Sequence, residues 1–85
     1  MKKYRVIRDL QGGEFGMSRD YTVEEWVEQA IDWHDSDEYF ENDKSVERFR
    51  EELLKGAKER GDWYVLDYIA DHWQLEFEEV PQEVM

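Results

Sequence analysis

The chain has 85 residues, no cysteine and a formal net charge of −12 at pH 7. The absence of cysteine excludes a disulfide framework and a thiolate metal site. The negative charge argues against direct binding to nucleic acid or an anionic membrane. A domain this small must be stabilised by packing, and aromatic residues, 15% of the chain, supply the area for a core. The opening residues contain no apolar signal segment, and no stretch approaches the ~20 apolar residues of a membrane span. We therefore expect one cytoplasmic domain, residues 1–85, with a basic partner.

The N-terminal segment, residues 1–18, predicts a β-hairpin. Residues 3–9 (KYRVIRD) alternate polar with β-branched or aromatic side chains, and residues 11–13 (QGG) are a turn signal. Residues 14–18 would form the return strand, although Gly16 weakens that strand.

Residues 22–35 predict the helix around which the rest of the chain is organised. Thr22 and Glu25 have the spacing of a capping box. Apolar residues and one histidine recur at helical spacing on one face: Val23, Trp26, Val27, Ala30, Ile31 and His34. The opposite face carries carboxylates four residues apart, and more acids follow the C-terminal end of the helix. Both arrangements oppose helix stability, so selection for stability alone does not account for them.

Two more helices are predicted downstream. Ser45 caps the second helix, residues 46–60, and Gly61 ends it. Asp62 caps the third, residues 63–73, which is apolar on most sides and is expected to be buried.

The last predicted element is a strand at residues 74–80, where apolar residues alternate with glutamates before a proline. Its Glu76 and Glu78 would face Lys3 and Arg5 across a sheet. The fold class is therefore α+β: a small two- or three-stranded antiparallel sheet, made of the N-terminal hairpin and the C-terminal strand, with three helices on one face. Residues 22–60 form two helices, and residues 62–80 form the third helix and the final strand.

The acidic side chains are concentrated in one part of the chain. Residues 11–43 contain eleven acids and one base, whereas residues 1–10 and 44–60 are net positive. Carboxylates four residues apart on a helix are ~6 Å apart along its axis, a coarser version of the ~3.4 Å phosphate spacing of one duplex strand. We therefore predict a partner-binding surface made of Glu24, Glu25, Glu28, Asp32, Asp35, Asp37, Glu38, Tyr39 and Glu41. The alternative is an ordinary solvated helix face.

Other kinds of site have less support from the sequence. His34 shares a helical face with Asp37 and Glu38, which suggests a divalent-ion site, but the histidines, each beside a tryptophan, are better explained as the edge of the core. The chain has no cysteine nucleophile and no phosphate-binding glycine motif, and exposed acids have nothing to separate their pKa values. We expect no cofactor, no metal and no enzymatic activity.

Taken with the eight acids just named, this short, cysteine-free, acidic chain resembles small phage and mobile-element inhibitors of bacterial defence, the anti-restriction DNA mimics and anti-CRISPR proteins. Its opening MKKYRVIRDL and closing WQLEFEEV also resemble Firmicute mobile-element proteins. The resemblance implies a non-enzymatic inhibitor in the bacterial cytoplasm. It would bind to a nuclease, either an RNA-guided nuclease or a restriction enzyme, and occupy the basic surface that binds nucleic acid. The basic residues 44–60 depart from this pattern. The alternative is a small regulatory module that docks through the exposed aromatics Tyr39 and Phe40, with or without an ion.

Overall fold

The computed structural model describes residues 2–12 and 19–81 and has the predicted α+β fold. Along the chain lie β1 (Tyr4–Asp9), α1 (Val23–Ser36), α2 (Asp43–Arg60), α3 (Trp63–Trp73) and β2 (Leu75–Glu79). The two strands form an antiparallel sheet whose buried face lies against the helices. The predicted return strand at residues 14–18 lies outside the described residues.

The sheet contains one register irregularity, which decides what each face carries. Val6 lies opposite Phe77, and the register then shifts before Arg8. Because strand side chains alternate between faces, an extra residue in one strand places Arg5 and Arg8 on the same face. Tyr4, Val6 and Phe77 are buried on the other face.

The predicted pairing of opposite charges across the sheet is confirmed. The guanidinium of Arg5 lies 2.5 Å from the carboxylate of Glu78. The guanidinium of Arg8, rather than the ammonium of Lys3, is the second partner and lies 3.8 Å from Glu76. Exposed pairs of this kind each contribute about 0–1 kcal/mol to stability, so their main effect is to place the bases of β1 next to acids of β2.

The other edge of β1 is joined to the start of α1. The backbone amide of Tyr4 donates to the carbonyl of Tyr21, and the amide of Tyr21 donates to the carbonyl of Tyr4. Thr22 follows at once and caps α1: its hydroxyl accepts from the Glu25 amide, while the Glu25 carboxylate accepts from the Thr22 amide. The predicted capping box is therefore present, and it begins α1 directly beside the sheet.

The core is built around Trp26, which is fully buried on the inner face of α1. Its indole N–H donates to the carbonyl of Tyr4 over 2.8 Å, so the polar edge of the ring is satisfied inside the core. The rings of Tyr21, Trp33 and Phe77 lie 5.0–6.2 Å from the Trp26 ring, centroid to centroid. All six predicted inward residues of α1 are buried, including His34.

The predicted start of α2 is wrong by three residues. The helix begins at Asp43, and its N-cap is Asn42, whose side-chain oxygen accepts from the amide of Ser45 over 2.9 Å. Ser45 therefore lies in the first turn rather than at the cap. Asparagine and serine are both strong N-cap residues, and Asp43 further favours the earlier start because its negative charge complements the positive end of the helix.

The bounds predicted for α3 are confirmed, and Asp62 is its N-cap residue as predicted, but it does not cap the helix through its side chain. The side chain of Asp62 makes no capping hydrogen bond. Its carboxylate instead accepts from the hydroxyl of Tyr4 over 2.7 Å. The pKa of Tyr4 is raised, first by burial and then by this carboxylate. Asp62 therefore ties the start of α3 to the sheet.

Candidate functional site

All the residues predicted to bind a partner are exposed in the structure. Five of the acids lie on the outer side of α1, and the others lie in the loop that joins α1 to α2. We call the acids of this set the acidic surface: Glu24, Glu25, Glu28, Asp32, Asp35, Asp37, Glu38 and Glu41. Two members of this surface, Glu25 and Glu28, have their carboxylates bound by other described residues.

Glu28 is neutralised by a base from α2. Its carboxylate accepts two hydrogen bonds from the Arg50 guanidinium, with N–O distances of 2.6 and 2.9 Å. This pairing lowers the pKa of Glu28 and raises that of Arg50. The two residues are 22 positions apart, so the pair depends on how α1 packs against α2, which the charge pattern of α1 does not reveal.

Glu25 keeps its charge but is held by the capping box. The pKa of Glu25 is lowered, chiefly because its carboxylate accepts from the backbone amide of Thr22. A substitution at Glu25 would therefore change both the surface charge and the start of the helix. Glu25 and Glu28 are poor positions at which to test binding, although the sequence alone makes them look equivalent to the rest.

The remaining acids of the surface make no ion pair with any base among residues 2–12 and 19–81: Glu24, Asp32, Asp35, Asp37, Glu38 and Glu41. The ion-paired bases of this region are Lys2, Arg5 and Arg8, which pair with β2, and Arg50, which pairs with Glu28. Intramolecular pairing therefore leaves most of the acidic surface uncompensated.

The C-terminal end of α1 is closed by a Schellman motif. The amide of Tyr39 donates to the carbonyl of His34 over 3.0 Å, and the amide of Glu38 donates to the carbonyl of Asp35 over 3.1 Å. Glu38 has a φ of 57°, the left-handed conformation that this motif requires and that glycine usually supplies. The motif holds the acids of the loop in one position relative to α1.

Tyr39 stacks on the histidine that the same motif brings beneath it. The ring centroids of His34 and Tyr39 are 4.0 Å apart and the planes differ by 22°, while 56% of Tyr39 remains exposed. Phe40 lies edge-on to both His34 and Phe49 and is half-buried. Phe40 thus serves the core, and Tyr39 both covers the core and presents an open ring face.

His34 is an internal residue of this aromatic cluster. It is 2% exposed, and its Nε2 lies 3.0 Å from the hydroxyl of Tyr68. Burial, together with the nearby His72, lowers the pKa of His34. The ring of His72 lies 4.7 Å from that of His34. In the described part of the chain, no group of three or more histidines and acids is placed to hold a metal ion.

A groove next to Tyr39 contains residues that the sequence analysis missed. Its volume is about 290 Å³, and it is lined by Tyr39, Phe40, Glu41, Ser45, Arg48, Phe49 and Glu52. The residues of α2 in this groove, Ser45, Arg48, Phe49 and Glu52, are spaced three or four positions apart and so share one face of the helix. In the sequence, Phe49 looks only like a core position of α2, and nothing local connects it with Tyr39.

Comparisons add no further information about this surface. No family model, no curated protein sequence and no solved structure matches this chain. Within the residues that the structure describes, no helix is long and apolar enough to cross a membrane.

Proposed function

We propose that this protein is a non-enzymatic inhibitor whose acidic surface binds the basic, nucleic-acid-binding surface of a bacterial defence nuclease and blocks DNA loading. The observation that carries the proposal is the set of exposed acids on α1 and its following loop that no base of the described residues neutralises. The nuclease class, RNA-guided or restriction enzyme, follows from the resemblance of the chain to small acidic inhibitors of bacterial defence.

The length of the acidic row on α1 fits a nucleic-acid-binding groove. Residues 24–35 of α1 span ~16 Å at a rise of ~1.5 Å per residue. One strand of a duplex presents roughly five phosphates over that distance. The helix offers five carboxylates, of which Glu28 is neutralised by Arg50, so the row is a slightly sparser line of negative charge on a rigid support.

The distribution of bases concentrates the negative electrostatic field on the side of the molecule that carries the acidic surface. Arg5 and Arg8 pair with acids across the sheet, and Arg50 pairs with Glu28. Because the net charge is −12, a basic partner is attracted over distances up to about the ~10 Å Debye length at 0.1 M salt, and its rate of association is increased.

One observation supports a different class of function, a docking module that binds through an aromatic anchor. Tyr39 is 56% exposed, and exposed tyrosines surrounded by polar residues are typical binding hot spots. Such a module would bind with little dependence on salt, whereas the proposed inhibitor would lose affinity steeply as salt rises. A salt series on any captured partner separates the two.

The proposal is tested by reversing the charge of three unpaired acids. The immobilised protein is exposed to lysate of bacteria that encode an RNA-guided nuclease or a restriction enzyme, and bound proteins are released with duplex DNA at constant ionic strength. We expect a nuclease that DNA releases and whose cleavage of target DNA the free protein inhibits. The variant Asp32→Lys/Asp35→Lys/Asp37→Lys should lose both capture and inhibition.

A matched control distinguishes the surface from the net charge. The variant Glu51→Lys/Glu59→Lys/Asp67→Lys makes the same change in charge at exposed positions of α2 and α3 and should retain capture and inhibition. Circular dichroism checks that both variants are folded. Equal behaviour of the two variants, or a captured nuclease that DNA does not release, would overturn the proposal.

A further inference from the structure

The groove beside Tyr39 combines an aromatic wall with unpaired carboxylates. Three of its lining residues are aromatic, and they contact one another: the ring centroids of Tyr39 and Phe40 are 5.1 Å apart, and those of Phe40 and Phe49 are 5.3 Å apart. Glu41 and Glu52 also line the groove, and neither makes an ion pair among the described residues.

The open face of Tyr39 is rigidly held. One face of its ring stacks on His34, and His34 is itself fixed by burial and by the hydroxyl of Tyr68. More than half of Tyr39 is exposed, which leaves room for a ligand on the side of the ring that does not stack on His34. The face of an aromatic ring carries a partial negative charge that attracts cations.

The net negative charge of the lining residues favours a cationic ligand in this groove. Arg48 is the only base among the lining residues, so with Glu41 and Glu52 the lining carries a net charge of −1. The loop adds Asp37 and Glu38 nearby, which repel anionic ligands. A guanidinium group fits such a site better than an ammonium, because it is planar, stacks on aromatic faces and donates two parallel hydrogen bonds to a carboxylate.

We propose that the groove lined by Tyr39, Glu41 and Glu52 binds an arginine side chain of the partner protein. The guanidinium stacks on the outer face of Tyr39 and donates to a carboxylate of Glu41 or Glu52. The identification of that arginine as part of a nuclease rests on the proposed function. The site itself does not, because it follows from the groove.

The test is a titration of the whole chain with N-acetyl-arginine amide at constant ionic strength, in which NMR monitors the aromatic and backbone signals. The neutral isostere N-acetyl-citrulline amide and N-acetyl-lysine amide are the matched probes. We expect saturable shifts at Tyr39, Phe40 and Phe49 with arginine, at least about fivefold weaker binding of lysine, and no saturable shifts with citrulline. Equal binding of citrulline or of lysine would overturn the proposal.

Variants locate the binding within the groove. Tyr39→Leu and Glu52→Gln should each weaken arginine binding about two- to fivefold, the effect of losing one exposed cation–π or charged contact. Glu59→Gln removes the same charge from the same helix outside the groove and should leave binding unchanged. Arginine binding that survives Tyr39→Leu/Glu52→Gln, or that falls equally in Glu59→Gln, would also overturn the proposal.

The two proposals can fail separately. The charge-reversal variant of the inhibitor test leaves Tyr39, Glu41 and Glu52 in place, and the arginine titration needs no nuclease. Loss of nuclease capture on charge reversal, together with indifference to arginine, would refute the groove alone. Arginine binding in the groove without any DNA-releasable nuclease would refute the proposed function alone.

Discussion

At the scale of single residues, His34 links the core to the candidate site. It is buried among the rings of Tyr39, Phe49 and Trp73, and its imidazole nitrogen is paired with Tyr68. Burial opposes the charged form, so the pKa of His34 lies below its ordinary value. The unfolded chain restores the ordinary pKa of about 6.5.

The contribution of His34 to the stability of the protein should therefore fall on mild acidification. Above pH ~7 His34 is neutral in both states and its contribution is fully present. Below pH ~6.5 the unfolded chain binds the proton first, so the free energy of unfolding falls until the pH passes the lowered pKa of the folded state. We expect this loss to begin as the pH falls through the ordinary histidine pKa of about 6.5 and to level off below the lowered pKa of His34 in the folded state, as measured by urea unfolding at several pH values.

Two variants assign this pH dependence to one histidine. His34→Gln should be less stable at pH 7 and should show no such loss on acidification. His72→Gln should keep most of the loss, because His72 is exposed and lowers the pKa of His34 less than burial does. A pH dependence that disappears in His72→Gln but persists in His34→Gln would contradict this assignment.

Some residue-scale features could not be predicted, because the usual signal is absent. The left-handed position at the end of α1 is normally marked by glycine, but this chain has Glu38 there. The start of α2 offered two good capping residues three positions apart, and the structure uses Asn42 rather than Ser45. In neither place did local propensity identify the residue that the structure uses.

At the scale of elements, α2 and α3 meet through a glycine. Gly56 lies in the buried part of α2, and a Cβ at this position would overlap the ring of Tyr64 from α3. The guanidinium of Arg60 lies 5.9 Å from the centroid of the same ring. The Tyr64 ring thus lies against two positions of α2 one helical turn apart and occupies the space that a side chain at position 56 would need.

This contact predicts that Gly56→Ala changes the stability of the protein in opposite directions, depending on whether the Tyr64 ring is present. In the natural sequence, Gly56→Ala should destabilise the protein by about 1 kcal/mol, because displacing the ring outweighs the gain in helix propensity. In a Tyr64→Ala background the overlap is removed, and the same substitution should stabilise by about 0.5–1 kcal/mol. Chemical denaturation of the four proteins measures the coupling. The same effect of Gly56→Ala in both backgrounds would show that the ring does not constrain the helix.

Elements with local signals were predicted well. The capping box and the inward face of α1 are confirmed because a spacing of three or four residues defines both. The bounds of α3 are confirmed because Gly61 separates it from α2 and because α3 is itself a largely apolar stretch. The register irregularity of β1 was not foreseen, since it arises from pairing with β2, some seventy residues along the chain.

At the scale of the whole molecule, charge opposes folding. The net charge is −12, and the described ion pairs are exposed and contribute about 0–1 kcal/mol each. Self-repulsion between the acids should therefore exceed the attraction within the pairs. The helical pattern of α1 was enough to predict which acids are exposed, but Glu28 is neutralised by a base that only the tertiary fold brings near.

Added salt should consequently raise thermal stability. Screening shortens the range of repulsion from about 30 Å at 0.01 M to less than 10 Å above 0.1 M, so Tm should increase between 10 and 500 mM NaCl. The Glu51→Lys/Glu59→Lys/Asp67→Lys variant, whose net charge is −12 + 6 = −6, should show a smaller increase. A Tm that falls with salt would mean that the ion pairs dominate.

The left-handed Glu38 has a consequence for how a partner meets this protein. Two hydrogen bonds and a ring stack close the end of α1 around it, so the direction in which the chain leaves α1 is set by one backbone conformation. The angle between the row of carboxylates on α1 and the groove beside Tyr39 is therefore set by this backbone conformation. A partner that binds both, as we propose, must match this angle, and little ordering entropy is lost when it does.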